Sequence, residues 1–158
     1  MSKKLVTYFS ASGVTKAVAE KLAQTLGSDI FEIAPKVLYT AADLDWRDKT
    51  SRSTVEMNDL SYRPEMAEGD VDISAYDTVY VGFPIWWYIA PTIINTFLEK
   101  YDWNGKKIVL FATSGGSGWG KTVEKLEDSC KGAEIVEGKI VGPTGVTAEE
   151  LLNWAESL

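Results

Sequence analysis

The chain has 158 residues and a formal net charge of −7, from 16 basic and 23 acidic residues. Its near-average composition, 45% hydrophobic with only 13 Gly and 5 Pro, excludes collagen-like, low-complexity and intrinsically disordered classes and predicts one globular domain. There is no histidine and only one cysteine, Cys130, which excludes an intrachain disulfide, zinc chemistry and catalysis by Ser-His or Cys-His pairs. The acidic balance argues against nucleic acid or an anionic membrane as partner, because both select a basic surface.

Two apolar stretches resemble targeting or membrane segments. The run 5–9 follows two lysines but is too short for a signal peptide. Residues 78–98 carry no charge, yet Gly82, Pro84 and Pro91 divide them into a strand, a loop and a helix start. We therefore expect a cytoplasmic protein without a membrane span.

Hydrophobic periodicity predicts strands that alternate with helices. The predicted strands are 3–9, 29–34, 77–83, 107–112 and 133–141. Helices are predicted from Val14 to a stop at Gly27, from Pro91 as first residue, around Val123, Leu126 and Cys130, and after a capping box of Thr147 and Glu150. Such alternation predicts an α/β fold, a three-layer doubly wound domain with a five-stranded parallel sheet, because parallel strands need crossover helices.

The segment 36–72 interrupts this alternation. It has no clear strand periodicity, although 48–60 is compatible with a short helix, and it contains Trp46 and several arginines. Irregular segments of this length are usually functional or mobile. We interpret it as an insertion that forms a lid over a ligand or a substrate pocket, with a solvated linker as the alternative.

The loop between the first strand and the first helix is the first candidate ligand site. It consists of Ser10, Ala11, Ser12, Gly13, Val14 and Thr15. Backbone N–H groups at a helix N-terminus attract a phosphate, hydroxyl groups add donors, and a glycine allows close approach. The alternative is a set of capping residues that only completes the first helical turn.

A second candidate phosphate loop is 115–122, Gly-Gly-Ser-Gly-Trp-Gly-Lys-Thr, which matches the nucleotide pattern G-x-x-x-x-G-K-[ST]. A nucleoside triphosphatase also needs an acidic residue at the end of a neighbouring strand to help hold magnesium. No predicted strand ends in this way. We therefore favour the alternative, in which the glycines let the backbone pass close to a flat ligand.

The third candidate site is the aromatic loop after the third predicted strand, residues 84–91, which contains Trp86, Trp87 and Tyr88. Ligands bind to open α/β sheets at the carboxyl ends of their strands. Adjacent aromatic side chains cannot all face the core. We expect at least one to stack on a planar ring, with a core or dimer-interface role as the alternative.

Together these three loops resemble those of the flavodoxin family. The resemblance rests on Ser-x-Ser-Gly-x-Thr at 10–15, Gly-Phe-Pro-Ile-Trp-Trp at 82–87 and Thr-Ser-Gly-Gly at 113–116. It spans nearly the whole chain, and it implies the strand order 2-1-3-4-5 and flavin mononucleotide (FMN) as cofactor. Residues 10–15 would hold the phosphate.

The resemblance also assigns the other two loops to the flavin. One side of the isoalloxazine ring would be lined by Pro84, Ile85, Trp86, Trp87 and Tyr88. The ring and the ribityl chain would run beside Thr113, Ser114, Gly115, Gly116, Ser117 and Gly118. No catalytic side chain and no metal is implied, because the flavin carries the chemistry.

The implied function is electron transfer between redox partners, by a monomer or weak dimer. The net charge of −7 favours basic partner proteins, although a small redox acceptor is also compatible. The alternative is an NAD(P)H-dependent FMN oxidoreductase that acts on quinones or similar acceptors. The insertion favours this alternative, as does the loop after the fourth strand, which lacks the tyrosine and acidic residues common in the family's electron carriers.

Overall fold

The strands form one parallel sheet. A computed structural model describes residues 3–11, 13–45, 47–59, 61–67, 69, 71–86, 89–114, 118–142 and 145–158. Within them the strands are β1 (Lys4–Tyr8), β2 (Asp29–Glu32), β3 (Thr78–Pro84), β4 (Lys107–Thr113) and β5 (Glu134–Val141). All pair in parallel in the order β2-β1-β3-β4-β5, which confirms the predicted topology.

Helices connect the strands. They are α1 (Val14–Leu26), α2 (Arg52–Asn58), α3 (Thr92–Glu99), α4 (Thr122–Leu126) and α5 (Ala148–Glu156), with 3₁₀ turns at Ile73–Ala75 and Glu127–Ser129. Gly27 ends α1, and Thr147 and Glu150 form the predicted capping box of α5.

Two helix ends differ from the sequence prediction. Pro91 is the N-cap of α3 rather than its first helical residue, because its ψ of 144° is extended. The helix predicted to run through Cys130 ends at Leu126 and continues as a 3₁₀ turn that Cys130 caps. Cys130 is nevertheless buried, as expected for a small hydrophobic residue.

The sheet is covered on both faces, so the domain has three layers. Successive residues of a strand point to opposite faces, and the strand residues Leu5 and Val6 accordingly belong to different core clusters. Leu5 shares its cluster with Phe97 of α3, whereas Val6 packs in the cluster that contains Leu22 of α1 and Leu151 of α5. The central strands therefore read as nearly continuous apolar runs.

A bulge interrupts the pairing of β4 with β5. Leu110 is opposite Glu137 and Phe111 is opposite Lys139, so that Gly138 is the extra residue. A Cβ atom at Gly138 would lie 2.1 Å from the carbonyl oxygen of Leu110. Only glycine allows the two backbones to approach this closely.

The insertion 36–72 leaves the sheet and returns to it at nearly the same place. Its ends meet where Lys36 N–H donates to Glu65 O at 2.9 Å and Ala67 N–H donates to Ala34 O at 2.8 Å. The short helix predicted within 48–60 is α2, and its Glu56 and Met57 are buried. These contacts argue against the solvated-linker alternative.

The apolar stretch 78–98 divides into β3 and α3 with a loop between them, as predicted. Among the described residues, no helix is long and apolar enough to cross a membrane.

Candidate functional site

The carboxyl ends of β1, β3 and β4 bring the candidate loops together, and Thr113 at the end of β4 joins them. Its hydroxyl lies 2.7 Å from the hydroxyl of Thr15, which follows β1. Its carbonyl accepts the N–H of Ile85, which follows β3, at 3.0 Å. One residue therefore fixes the relative positions of the three loops.

The loop after β1 presents backbone donors at the start of α1. The N-cap residue Gly13 has φ of 94° and no side chain, so it cannot accept the N–H groups of the first turn. Ser10 accepts the N–H of Gly13 itself at 3.0 Å, which leaves the Ser10 hydroxyl proton available to donate. Among the described residues, no side chain caps the first turn of α1, so its N–H groups are oriented to attract an anion.

The remaining residues of this loop differ in exposure. Thr15 is 2% exposed, whereas the side chain of Val14 is 57% exposed beside it. Ala11 packs against the core. Ser12 lies outside the described residues.

The aromatic loop leaves β3 through Pro84 and Ile85, both half-buried. Trp86 and Ile89 exchange both of their backbone hydrogen bonds, at 3.0 and 3.1 Å, and so form an isolated antiparallel bridge. The predicted ring-lining residues Trp87 and Tyr88 lie outside the described residues.

The loop after β4 begins at Ser114, whose N–H donates to Val141 O of β5 at 3.1 Å. The predicted residues Gly115, Gly116 and Ser117 lie outside the described residues, and Gly118 is exposed with open space where a Cβ would stand. Trp119 packs edge-on against Phe83 with ring centroids 6.3 Å apart. Its indole is therefore partly buried in the core.

The structure does not support nucleoside triphosphate binding by 115–122. The hydroxyl of Thr122, which would bind magnesium in such a loop, donates to Trp119 O at 2.5 Å. The strands on either side of β4 end in Pro84 and Val141. Neither supplies the acidic residue that a magnesium site requires.

Tyr39 of the insertion is a residue of this region that the sequence did not reveal. Its ring lies edge-on to Phe9, with centroids 5.6 Å apart, and to Trp86, at 5.5 Å. Phe9 immediately precedes the loop 10–15. Tyr39 was missed because it lies in an irregular segment, where no periodicity indicates what a side chain packs against.

The polar end of Tyr39 is held by α2. The Tyr39 hydroxyl donates to Glu56 Oε1, and Arg52 Nε donates to Glu56 Oε2 at 3.0 Å. The guanidinium of Arg52 lies 3.8 Å from the centroid of the Tyr39 ring. Burial, followed by the hydrogen bond to Glu56, raises the pKa of Tyr39 well above its usual value, so the tyrosine is a neutral donor.

The described residues thus combine an uncapped helix N-terminus, two buried hydroxyl groups and an aromatic side chain, Trp86, at one edge of the sheet. The first two features suit an anionic group, and the third suits a flat ring. A ligand that carries both a phosphate and an aromatic ring system fits this arrangement.

Comparisons with known proteins agree with this geometry. A model of the flavodoxin family matches residues 3–158. A search among curated proteins found no significant match.

Solved structures are similar over the whole chain. A candidate flavoprotein from Bacteroides eggerthii DSM 20697 is 43% identical, covers 99% of this chain and 98% of its own, and has a TM-score of 0.89. A candidate flavoprotein from Bacteroides uniformis ATCC 8492 is 42% identical, with 98% of each chain covered and a TM-score of 0.91. A flavoprotein from Lactobacillus acidophilus NCFM, solved in complex with FMN, is 23% identical, covers 98% of this chain and 99% of its own, and has a TM-score of 0.71.

Proposed function

Because the chain belongs to the flavodoxin family, we propose that it binds FMN and transfers electrons through it. The observation that carries the proposal is the junction at Thr113, which ties the uncapped N-terminus of α1 to the loops after β3 and β4. The FMN in the Lactobacillus acidophilus complex shows that a protein of this fold accepts this cofactor.

Different residues would bind the phosphate and the ring of FMN. The N–H groups of the first turn of α1 and the hydroxyl of Ser10 would hold the phosphate, because the N-terminus of a helix favours negative charge. Trp86 and the residues that follow it would cover one side of the ring and exclude water from it. When bound, FMN supplies the oxidation and reduction chemistry, and the protein supplies position and electrostatics.

An electron carrier is the form of this function that we favour. The net charge of −7 on a chain of 158 residues suits docking on basic redox partners. Association with such a partner should slow steeply as ionic strength rises. Rates that do not change with salt would argue against the carrier.

A second candidate is an NAD(P)H-dependent reductase of quinones or similar small acceptors. It is favoured by the insertion, which packs Tyr39 against Trp86 at the edge where the ring would lie. Anaerobic addition of NADH or NADPH should then bleach the flavin without any partner protein, with turnover on a quinone. The absence of bleaching would exclude this candidate.

Release and identification of the flavin tests the proposal directly. The purified protein should be yellow, and mass spectrometry of the released cofactor should identify FMN. A colourless protein that cannot be reconstituted with FMN would overturn the proposal.

A double variant tests the phosphate loop. Ser10→Ala with Thr15→Ala should weaken FMN binding by about tenfold and riboflavin binding much less, since one hydrogen bond to a charged group contributes roughly 1.5–3 kcal/mol. The matched control is Thr147→Ala, which removes a hydroxyl that caps α5. Equal losses of affinity for FMN and for riboflavin would show that these hydroxyl groups do not bind the phosphate.

A further inference from the structure

We propose that Arg52 and Glu56 are positioning residues for the cofactor: they fix Tyr39 so that its ring holds Trp86, and with it the loop after β3, in place. The inference rests on the proposed binding of FMN. It assigns to the insertion the role of a fixed wall rather than that of a lid that opens.

The first step is that Tyr39, which lies in the insertion, contacts the loop after β3 and the residue that precedes the loop after β1. Phe9, Tyr39 and Trp86 each contact the other two edge-on, with centroids 5.5–5.8 Å apart. Phe9 is fully buried at the end of β1, so it provides a rigid support. Trp86 lies in the loop itself, so any displacement of Tyr39 is transmitted to this loop.

The second step is that α2 leaves Tyr39 little freedom. Glu56 is 4% exposed, and a carboxylate buried to this extent must keep its hydrogen-bond partners. Its two oxygen atoms accept from Tyr39 and Arg52. Two contacts therefore fix the Tyr39 side chain: Glu56 binds its hydroxyl group, and Arg52 lies over the face of its ring.

The third step is that Arg52 also ties down the backbone next to Tyr39. Its Nη1 donates to the carbonyl of Val37 at 2.7 Å and to that of Leu38 at 3.4 Å. A single guanidinium thus contacts the ring, the carboxylate and the chain that leads to the ring. Its planar set of donors makes this possible, and lysine could not replace it.

The chain offers a matched control in Arg63, which also lies in the insertion. Arg63 makes two hydrogen bonds with Glu99 of α3, at 2.9 and 3.0 Å. This ion pair anchors the insertion to α3 and not to Tyr39. Loss of Arg63 removes the same charge without releasing Tyr39.

The first experiment compares cofactor binding by Tyr39→Phe, Glu56→Gln, Arg52→Lys and the control Arg63→Gln. We expect the first three to raise the dissociation constant of FMN by about three- to tenfold and to change the visible circular dichroism of the bound flavin. Arg63→Gln should change the dissociation constant less than about twofold and leave the flavin spectrum unaltered.

A double-variant cycle tests whether the effect passes through Trp86. In a Trp86→Leu background, Tyr39→Phe should cause no further loss of FMN affinity. Independent, additive losses would mean that Tyr39 does not act through Trp86.

A readout without FMN separates this inference from the proposed function. In protein labelled with 5-fluorotryptophan, the ¹⁹F resonance of Trp86 is assigned as the one that Trp86→Phe removes. Tyr39→Phe and Glu56→Gln should shift this resonance, and Arg63→Gln should not. If wild-type protein fails to bind FMN, the proposed function fails, while the ¹⁹F shifts still report on the contact.

The inference is overturned if folded Tyr39→Phe protein keeps both the wild-type Trp86 resonance and the wild-type affinity for FMN. Glu56→Gln leaves a buried, partly paired group and is the variant most exposed to misfolding. Tyr39→Phe keeps the ring and removes only one oxygen, so it supplies the decisive result in that case.

Discussion

The hydroxyl groups of Thr15 and Thr113 lie 2.7 Å apart although 98 positions separate the two residues in the chain. Both are buried, Thr15 in the first turn of α1 and Thr113 at the end of β4. One hydroxyl donates to the other, so the acceptor keeps its own proton for a further partner. The candidate phosphate loop is therefore attached to the sheet before any ligand binds.

Removal of either hydroxyl should destabilise the protein, because the remaining one is left buried and unpaired. We expect Thr15→Val and Thr113→Val each to lower the free energy of unfolding by about 1–3 kcal/mol. The double variant should cost little more than one single variant, since it leaves no orphaned hydroxyl. Urea unfolding measures all three, and strictly additive losses would contradict the hydrogen bond.

Gly13→Ala should destabilise the protein although space for the methyl group is available. Gly13 has φ of +94°, and a Cβ atom at this position would meet no atom of the described residues within 4 Å, apart from its own chain neighbours. The cost of about 1–2 kcal/mol comes from the left-handed backbone alone. Gly142→Ala is the control, because Gly142 also has open space but not a left-handed φ. Equal stabilities of the two variants in urea unfolding would refute this explanation.

Gly138→Ala should destabilise the protein for the opposite reason, a lack of space. A Cβ at Gly138 meets Leu110 O at 2.1 Å and the Trp154 ring at 2.6 Å. Because the carbonyl belongs to a central strand, relief requires a backbone shift, and we expect a loss of about 1–3 kcal/mol. Thermal unfolding, again with Gly142→Ala for comparison, provides the measurement. A wild-type melting temperature would mean that the bulge adjusts freely.

Tyr76 should make stability sensitive to alkaline pH. Its hydroxyl donates to Asp29 Oδ2 at 2.6 Å, and this bond, followed by burial, raises the pKa of Tyr76 from 10.0 to about 12. A raised pKa stabilises the fold fully below the unfolded value of 10.0, and the contribution disappears as pH rises through about 12. The difference in unfolding free energy between wild type and Tyr76→Phe should thus be constant up to about pH 9 and shrink above pH 10. A difference that stays constant through pH 12 would show that the bond to Asp29 does not control the titration.

The sequence predicted the sheet well because its signals are local. The apolar run at 107–112 predicts a strand buried on both faces, whatever its place in the sheet. The three-residue spacing of Thr147 and Glu150 alone predicts a capping box. The strand order was implied by the resemblance of the loops, since no property of an isolated strand selects its neighbours.

Contacts that join distant segments were not predictable from local patterns. Thr15 was selected as a ligand donor, but nothing near it in sequence indicates a bond to Thr113. Tyr39 was missed for the same reason, because Trp86 lies 47 positions away. The prediction for the end of α4 was also wrong. The helical spacing of apolar residues continues past Leu126 to Cys130, but the backbone after Leu126 forms a 3₁₀ turn.

All three arginines of the chain, Arg47, Arg52 and Arg63, lie within the insertion, and each forms an ion pair with a carboxylate. A guanidinium keeps its charge at every pH at which a protein stays folded, so acid breaks the pair of Arg63 and Glu99 only through protonation of Glu99. Arg63 and Ser129 lower the pKa of Glu99, which preserves that pair further into acid. The apolar packing of the sheet has no such dependence. Strong acid that protonates Glu99 should therefore loosen the insertion near residue 63 while the apolar packing of the sheet is still intact, and protease cleavage under such conditions should begin near this residue.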